Sequence, residues 1–277
     1  QSGDLSAAAP LYKAALDGHA PLRQSWQGLN NYGLSIQSED PEAAAASFRE
    51  VLALPGQHEN ADAYFNLGNA LSDTAAHAEA VEAYGAAAKL APDDGEFAAA
   101  HGGALLQAGA AAEAVAALRG VCGALRSAPP GGADWGARAH HSLGDALALE
   151  RAWPEASAAY RDALAARPAH APGWASLGNT LEEQGQYDEA EASWRKALEM
   201  APDDDGTLLN LGGMLRRSER MGEARDAFER AVGASPENAE AYMALGKCYQ
   251  APKGGLAAAD RGETLRHYVR YVASTYG

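Results

Sequence analysis

Only two cysteines, Cys122 and Cys248, occur in 277 residues, and they stand far apart. That is too few for a disulfide framework, so reduced thiols and a reducing compartment, the cytoplasm, are expected. No apolar run is long enough to span a bilayer, and no basic start followed by an apolar stretch marks a secretory leader. Basic residues are scarce as well. Lys and Arg number 22 against 37 Asp and Glu, for a net charge of −15. The deficit is sharpest at the front, where residues 1–118 hold only Lys13, Arg23, Arg49 and Lys89 against fifteen acids. Binding along a phosphate backbone and docking on an anionic membrane both need the opposite balance, so neither nucleic acid nor membrane insertion is expected. The acidic front either attracts a basic partner or is a solvated face that aids solubility.

Chemistry-bearing motifs are missing too. There is no CxxC, no HExxH, no phosphate-cradling glycine loop and no nucleophile elbow. His140 and His141 are adjacent, and adjacent helical residues point apart, which opposes joint metal binding. His101 and His140 replace apolar positions and are expected to pack. Asp203, Asp204 and Asp205 begin a helix, where acids suit the dipole. Gly102-Gly103 and Gly212-Gly213 fall inside predicted helices and are expected to be packing glycines. No catalysis, cofactor or metal is therefore expected.

What is present is a glycine column. Gly68, Gly102, Gly144, Gly178, Gly212 and Gly246 follow one another at 34 residues, except for one gap of 42, and Gly33 precedes them by 35. Residues 171–204 are the clearest copy. Trp174, Leu177, Gly178 and Leu181 share one helical face, a turn follows at Gly185-Gln186, and Ala190, Trp194 and Ala197 form a second stripe that Pro202 ends. The next copy has Leu208, Leu211, Gly212 and Leu215, then Ala224, Phe228, Ala231 and Pro236. An earlier one has Tyr64, Leu67, Gly68 and Leu71, then Ala80, Tyr84, Ala87 and Pro92. A helix-interior glycine costs about 1 kcal/mol relative to alanine, so close helix packing, with Ala190 opposite Gly178, is expected to return more. The aromatics Trp194 and Phe228 are expected to wedge into the gap to the neighbouring repeat. A 47% hydrophobic content suffices to line such a core.

This pattern resembles the tetratricopeptide repeat family over nearly the whole chain. The resemblance implies an all-α solenoid, a right-handed superhelix of antiparallel helix pairs, with about seven repeats plus a leading helix. Residues 1–24 would be the leading helix or cap, with Ser6 as N-cap, and the front of the chain looks cut because no first helix precedes it. The repeats would be 25–60, 61–94, 95–128, 137–170, 171–204, 205–238 and 239–277, the last ending in a helix over about 260–274. A Pro/Gly loop at 129–136 would account for the long gap, and Trp135 beside it would cover an apolar edge or anchor a ligand.

In this family the first helix of each pair lines a concave groove, and the residues two before and one after the column glycine face inward. Two before, the chain has Asn31, Asn66, Ala100, Ser142, Ser176, Asn210 and Ala244. One after, it has Leu34, Asn69, Gly103, Asp145, Asn179, Gly213 and Lys247. Carboxamides both donate and accept, which suits the backbone of an extended peptide. Asn31, Asn66 and Asn210 resemble the asparagine ladder of O-GlcNAc transferase repeat domains, broken by Ala100, Ser142, Ser176 and Ala244. Asn179 and Asn210 also resemble the asparagines of the carboxylate clamp of chaperone adaptors. Ala175, Glu240 and Ala244 stand where that clamp has cations, so its standard form is excluded. Arg216, Arg217 and Lys247 lie on or beside the same face, with Arg138 approaching from repeat four. They either receive an acidic peptide or pair with intrachain carboxylates such as Glu182, Glu183 and Glu219. The expected function is a protein-interaction scaffold holding an extended peptide or partner subunit in the groove. The alternatives are a substrate-recruiting arm of a larger enzyme and a structural subunit of a large assembly.

Overall fold

The computed structural model describes residues 8–18, 25–126 and 134–250, which contain fourteen helices and no strand. They form two compact units, 1–152 and 153–277. The first holds α1 (Ala9–Gly18), α2 (Trp26–Ile36), α3 (Pro41–Ala53), α4 (Ala61–Asp73), α5 (His77–Leu90), α6 (Gly95–Gln107), α7 (Ala111–Arg126) and α8 (Asp134–Leu149). The second holds α9 (Trp153–Ala166), α10 (Ala171–Glu183), α11 (Tyr187–Met200), α12 (Asp205–Arg217), α13 (Met221–Ala234) and α14 (Ala239–Gln250). The Pro/Gly connector expected at 129–136 is shorter at its far end, because α8 already begins at Asp134. Residues 127–133, Ser6 and the helix expected over 260–274 lie outside the described residues.

Within each unit, helices pack on their neighbours in the chain; α6 also meets α8, and α12 meets α14. First helices are therefore neighbours of first helices, as stacked hairpins require. The turns after α4, α6, α8, α10 and α12 are closed by the same local device. The turn residue is left-handed at Ala75, Gly109, Arg151, Gly185 and Glu219. The following amide reaches back five residues, as from Ala76 to Leu71, Gln186 to Leu181 and Arg220 to Leu215, each at 2.9 Å. This backbone closure consumes the helix-end carbonyl. The second helices α5, α11 and α13 then start without a side-chain cap. First helices start differently. Asn60, Asp94, His170 and Asp204 each accept an amide from the first turn of the helix they begin, which satisfies an otherwise orphaned donor.

The core runs through the small-and-large alternation of the repeat. Ala44, Phe48 and Val51 are fully buried in α3, and Ala224, Phe228 and Ala231 nearly so in α13. The column glycines serve the wedge of their own repeat. A Cβ added at Gly33, Gly68, Gly102, Gly178 or Gly212 would sit 2.5–2.8 Å from Phe48, Tyr84, Leu118, Trp194 or Phe228, respectively. The close packing expected at these glycines is present, and the atoms nearest Gly178 are those of Trp194 in its own hairpin. This packing also divides the two glycine pairs. Gly102 and Gly212 are packing glycines, whereas Cβ atoms at Gly103 and Gly213 would meet nothing closer than Ser142 Oγ at 4.0 Å and Arg217 Nη1 at 3.9 Å.

Candidate functional site

The inward positions lie on first helices, so the site is built separately in each unit from α4, α6 and α8, and from α10, α12 and α14. In the second unit, the Trp194 indole donates from Nε1 to Asn179 Oδ1 at 2.9 Å, and Asn210 Nδ2 donates to the same oxygen at 2.8 Å. An indole N–H can only donate. Asn179 must therefore turn its oxygen to Trp194, and Asn210 must present its NH2 to that oxygen. Both amides are thereby fixed without ambiguity. Asn179 and Asn210 are both exposed, and their bonds to Trp194 and to each other use neither the Asn179 NH2 nor the Asn210 carbonyl.

The first unit repeats the arrangement at Asn69, whose Oδ1 accepts from the Tyr84 hydroxyl at 2.7 Å. Burial is the main cause that pushes the Tyr84 hydroxyl pKa up; the Asp73 charge adds to it, while a Ser72 hydrogen bond and Arg138 oppose it. In two repeats the residue after the column glycine is an asparagine that meets the polar atom of the wedge, Asn69 at Tyr84 and Asn179 at Trp194; in the repeat of Gly144 the corresponding residues are Asp145 and Tyr160. Where the wedge is Phe48, Leu118 or Phe228, the position holds Leu34, Gly103 or Gly213. Asn69 and Asn179 thus have a structural duty that their spacing did not disclose. The types of the paired residues, 15 positions apart, were the available signal.

Asn66 donates to Asn30 Oδ1 at 2.9 Å. Its cross-helix partner is thus the neighbour of Asn31 in the chain, and Asn31 itself is exposed. Arg217 pairs with Glu182, as the intrachain alternative required, and Arg138 lies 3.5 Å from Glu96. Arg216 is half-buried and Lys247 exposed, and neither forms an ion pair among the described residues. On the second helices a further set of ion pairs joins consecutive repeats: Arg161 to Glu189, Arg195 to Glu223, and Arg220 to Glu191, while Arg220 also pairs with Glu223 within its own repeat. Arg49 and Glu79 match them in the first unit. Apart from Glu191, whose side chain is 17% exposed, these groups are substantially exposed, so the pairs that do not involve it contribute little individually.

The first unit also contains a cavity of about 250 Å3. Its floor is Ala99, Ala100, Gly103 and Ala104 of α6, and its aromatic walls are Phe65 of α4 and Trp135 of α8. Phe65 is held in place by an edge contact to Tyr84 at 5.6 Å and by Phe97 at 4.8 Å. Trp135 lies directly over Gly95, the first residue of α6, where a Cβ would overlap its ring. Asn69, Ser72, Tyr84, Glu96, Arg138 and Ser142 supply the polar rim. Four inward positions of the sequence pattern (Asn69, Ala100, Gly103 and Ser142) thus share one recess. Elsewhere the polar groups are structural. His101 packs against Gly85, and burial, with the Lys89 charge adding, lowers its pKa. His140 is buried, and Asp204 caps α12. Cys122 and Cys248 are both buried. Among the described residues, no group of three or more His, Cys, Asp or Glu is placed to hold a metal ion, and no helix is long and apolar enough to cross a membrane.

Comparison with known proteins bears on the fold. Family models described as tetratricopeptide repeat match residues 61–94, 159–192, 176–239 and 222–262. No curated protein matches the sequence. Among solved structures, the Cut9–Hcn1 hetero-tetramer of the APC/C is similar with a TM-score of 0.65 at 18% identity, over 88% of this chain and 46% of that one. YrrB, a TPR protein with an unusual peptide-binding site, is similar with a TM-score of 0.57 at 20% identity, over 72% of this chain and 98% of its own. MamA is similar with a TM-score of 0.55 at 20% identity, over 66% and 96%. At these identities the likeness is one of fold. With the repeating hairpins, the column glycines under their wedges and the family matches together, the chain belongs to the tetratricopeptide repeat family and has its all-α solenoid fold.

Proposed function

We propose that this protein is an interaction scaffold that holds an extended peptide segment of a partner along its first helices, with Asn179 and Asn210 gripping the peptide backbone. Proteins of the repeat family are interaction modules, and the similar YrrB is described by its peptide-binding site. One observation carries the finer reading. The indole of Trp194 fixes the orientation of Asn179 and through it that of Asn210, so two adjacent first helices offer one amide donor and one carbonyl acceptor. A peptide unit needs that complement, whatever its side chains. The amides are oriented before any ligand arrives, which reduces the ordering cost of binding. Within the first unit Asn31, Asn66 and Asn69 offer polar groups of the same kind, and within the second Arg216, Arg217 and Lys247 lie on or beside the face of Asn179 and Asn210.

The test is a displayed library of random peptides panned against the full chain, followed by calorimetry on the best binder. Asn179→Asp keeps the acceptor for Trp194 and Asn210 but removes the donor, and Asn210→Ala removes the acceptor. At about 0.5–1.5 kcal/mol per hydrogen bond, the double variant should weaken binding about tenfold. An unchanged dissociation constant in a folded double variant rejects the assignment of these two residues.

A further inference from the structure

The cavity between α4, α6 and α8 is not explained by backbone gripping. Its size is the first clue. An apolar cavity of about 150 Å3 already accepts benzene, whereas sites for drug-sized ligands and cofactors begin at about 300 Å3. At about 250 Å3, the recess has room for one ring and the atoms that carry it, and falls short of a free cofactor. Gly103 is the second clue. A glycine inside a helix costs about 1 kcal/mol against alanine. At the column positions a wedge returns that cost, but a Cβ at Gly103 would meet nothing closer than 4.0 Å. The side chain missing there leaves the floor open.

The walls and rim select the occupant. Phe65 and Trp135 flank the recess, and aromatic rings favour other rings in edge or offset contact. A cation inside is disfavoured, because Arg138 already occupies Glu96. Outside, the balance reverses. Asp73 is exposed, and its hydrogen-bond partner among the described residues is the neutral amide of Gln37, at 2.8 Å. Residues 1–152 carry eight Lys and Arg against eighteen Asp and Glu, a net charge of −10. A peptide arriving here meets a ring-sized aromatic recess in a strongly negative field.

We infer that this cavity is the anchor site for an aromatic side chain of a partner peptide in which basic residues adjoin the aromatic one. The inference rests on the peptide reading above but concerns a different unit and different residues. The basic neighbours meet Asp73 and the net negative charge of residues 1–152, while the ring enters between Phe65 and Trp135.

The test uses three capped pentapeptides on the full chain labelled with nitrogen-15: Gly-Phe-Lys-Lys-Gly, Gly-Ala-Lys-Lys-Gly and Gly-Phe-Glu-Glu-Gly. The Trp135 indole and Gly103 amide resonances should shift with the first; the second should bind at least about tenfold more weakly, as the loss of a buried aromatic anchor demands, and the third should also bind more weakly, because its two carboxylates meet a surface of like charge. Gly103→Leu fills the recess from its floor and should abolish the shifts while leaving resonances of residues 153–250 in place. Should that variant fail to fold, the peptide series on the unaltered chain decides alone. Equal shifts with all three peptides, preference for the acidic one, or undiminished binding to folded Gly103→Leu would each overturn the assignment. Shifts confined to Asn179 and Asn210 would overturn the anchor cavity and leave the backbone-gripping proposal standing.

Discussion

Gly212 and Gly213 are neighbours in α12, are both replaceable by alanine, and should respond with opposite signs. Either substitution gains the helix propensity of alanine, about 1 kcal/mol. At Gly213 nothing opposes that gain, since the nearest atom is the end of the flexible Arg217 side chain, 3.9 Å away. At Gly212 the new Cβ would lie 2.6 Å from the Phe228 ring. Carbon atoms rest about 3.5–4.0 Å apart, so ring or helix must move by about 1 Å. Phe228 is 1% exposed and has no empty space to enter. Overpacking of this kind costs about 1–3 kcal/mol, which cancels or exceeds the propensity gain. Gly213→Ala should therefore raise stability by about 1 kcal/mol and stand about 1–3 kcal/mol above Gly212→Ala. Urea unfolding followed by helical circular dichroism would measure both. Midpoints should be compared under matched conditions, because a stacked array need not unfold in one step. A Gly212→Ala protein as stable as Gly213→Ala would refute the account of the glycine column.

Two further outcomes follow from the same contacts. Asn179→Ala strands the indole N–H of a fully buried Trp194 and should cost about 1–3 kcal/mol, while Asn179→Asp keeps the acceptor and should cost less; equal thermal midpoints for the two would remove the structural role of Asn179. Burial tends to raise the Glu191 carboxyl pKa, but hydrogen bonds from Arg220 and Arg195 outweigh it and hold it below the ordinary glutamate value. Glu191 therefore binds fewer protons folded than unfolded, so its contribution is whole above the ordinary glutamate pKa and disappears as pH falls through the depressed folded value. Glu191→Gln should flatten that part of the acid-unfolding profile, and an unaltered acid limb would show that the pairs with Arg195 and Arg220 do not operate in solution.

The fold was legible because a repeat states its own rules several times. Spacings of three and four within a 34-residue period fixed which residues face the core, and Asp203, Asp204 and Asp205 stood where a helix begins. Of the positions that the family resemblance implies to face a groove, four line one recess. The particular partners were not legible. Periodicity names a face without naming which atom lies across from it, so Asn69 and Asn179 read as ligand contacts when each first satisfies a wedge. The two members of each glycine pair also looked alike, although only one carries a ring above it.

By itself, then, the sequence determined the hairpin, its period, the buried stripe and the acidic surface, because these depend on local geometry and summed composition. Tertiary packing decided which amide oxygen is occupied, which glycine is compulsory and where a ring-sized space opens. Those outcomes depend on atoms brought together from helices distant in the chain, and a one-dimensional pattern carries no distances between them.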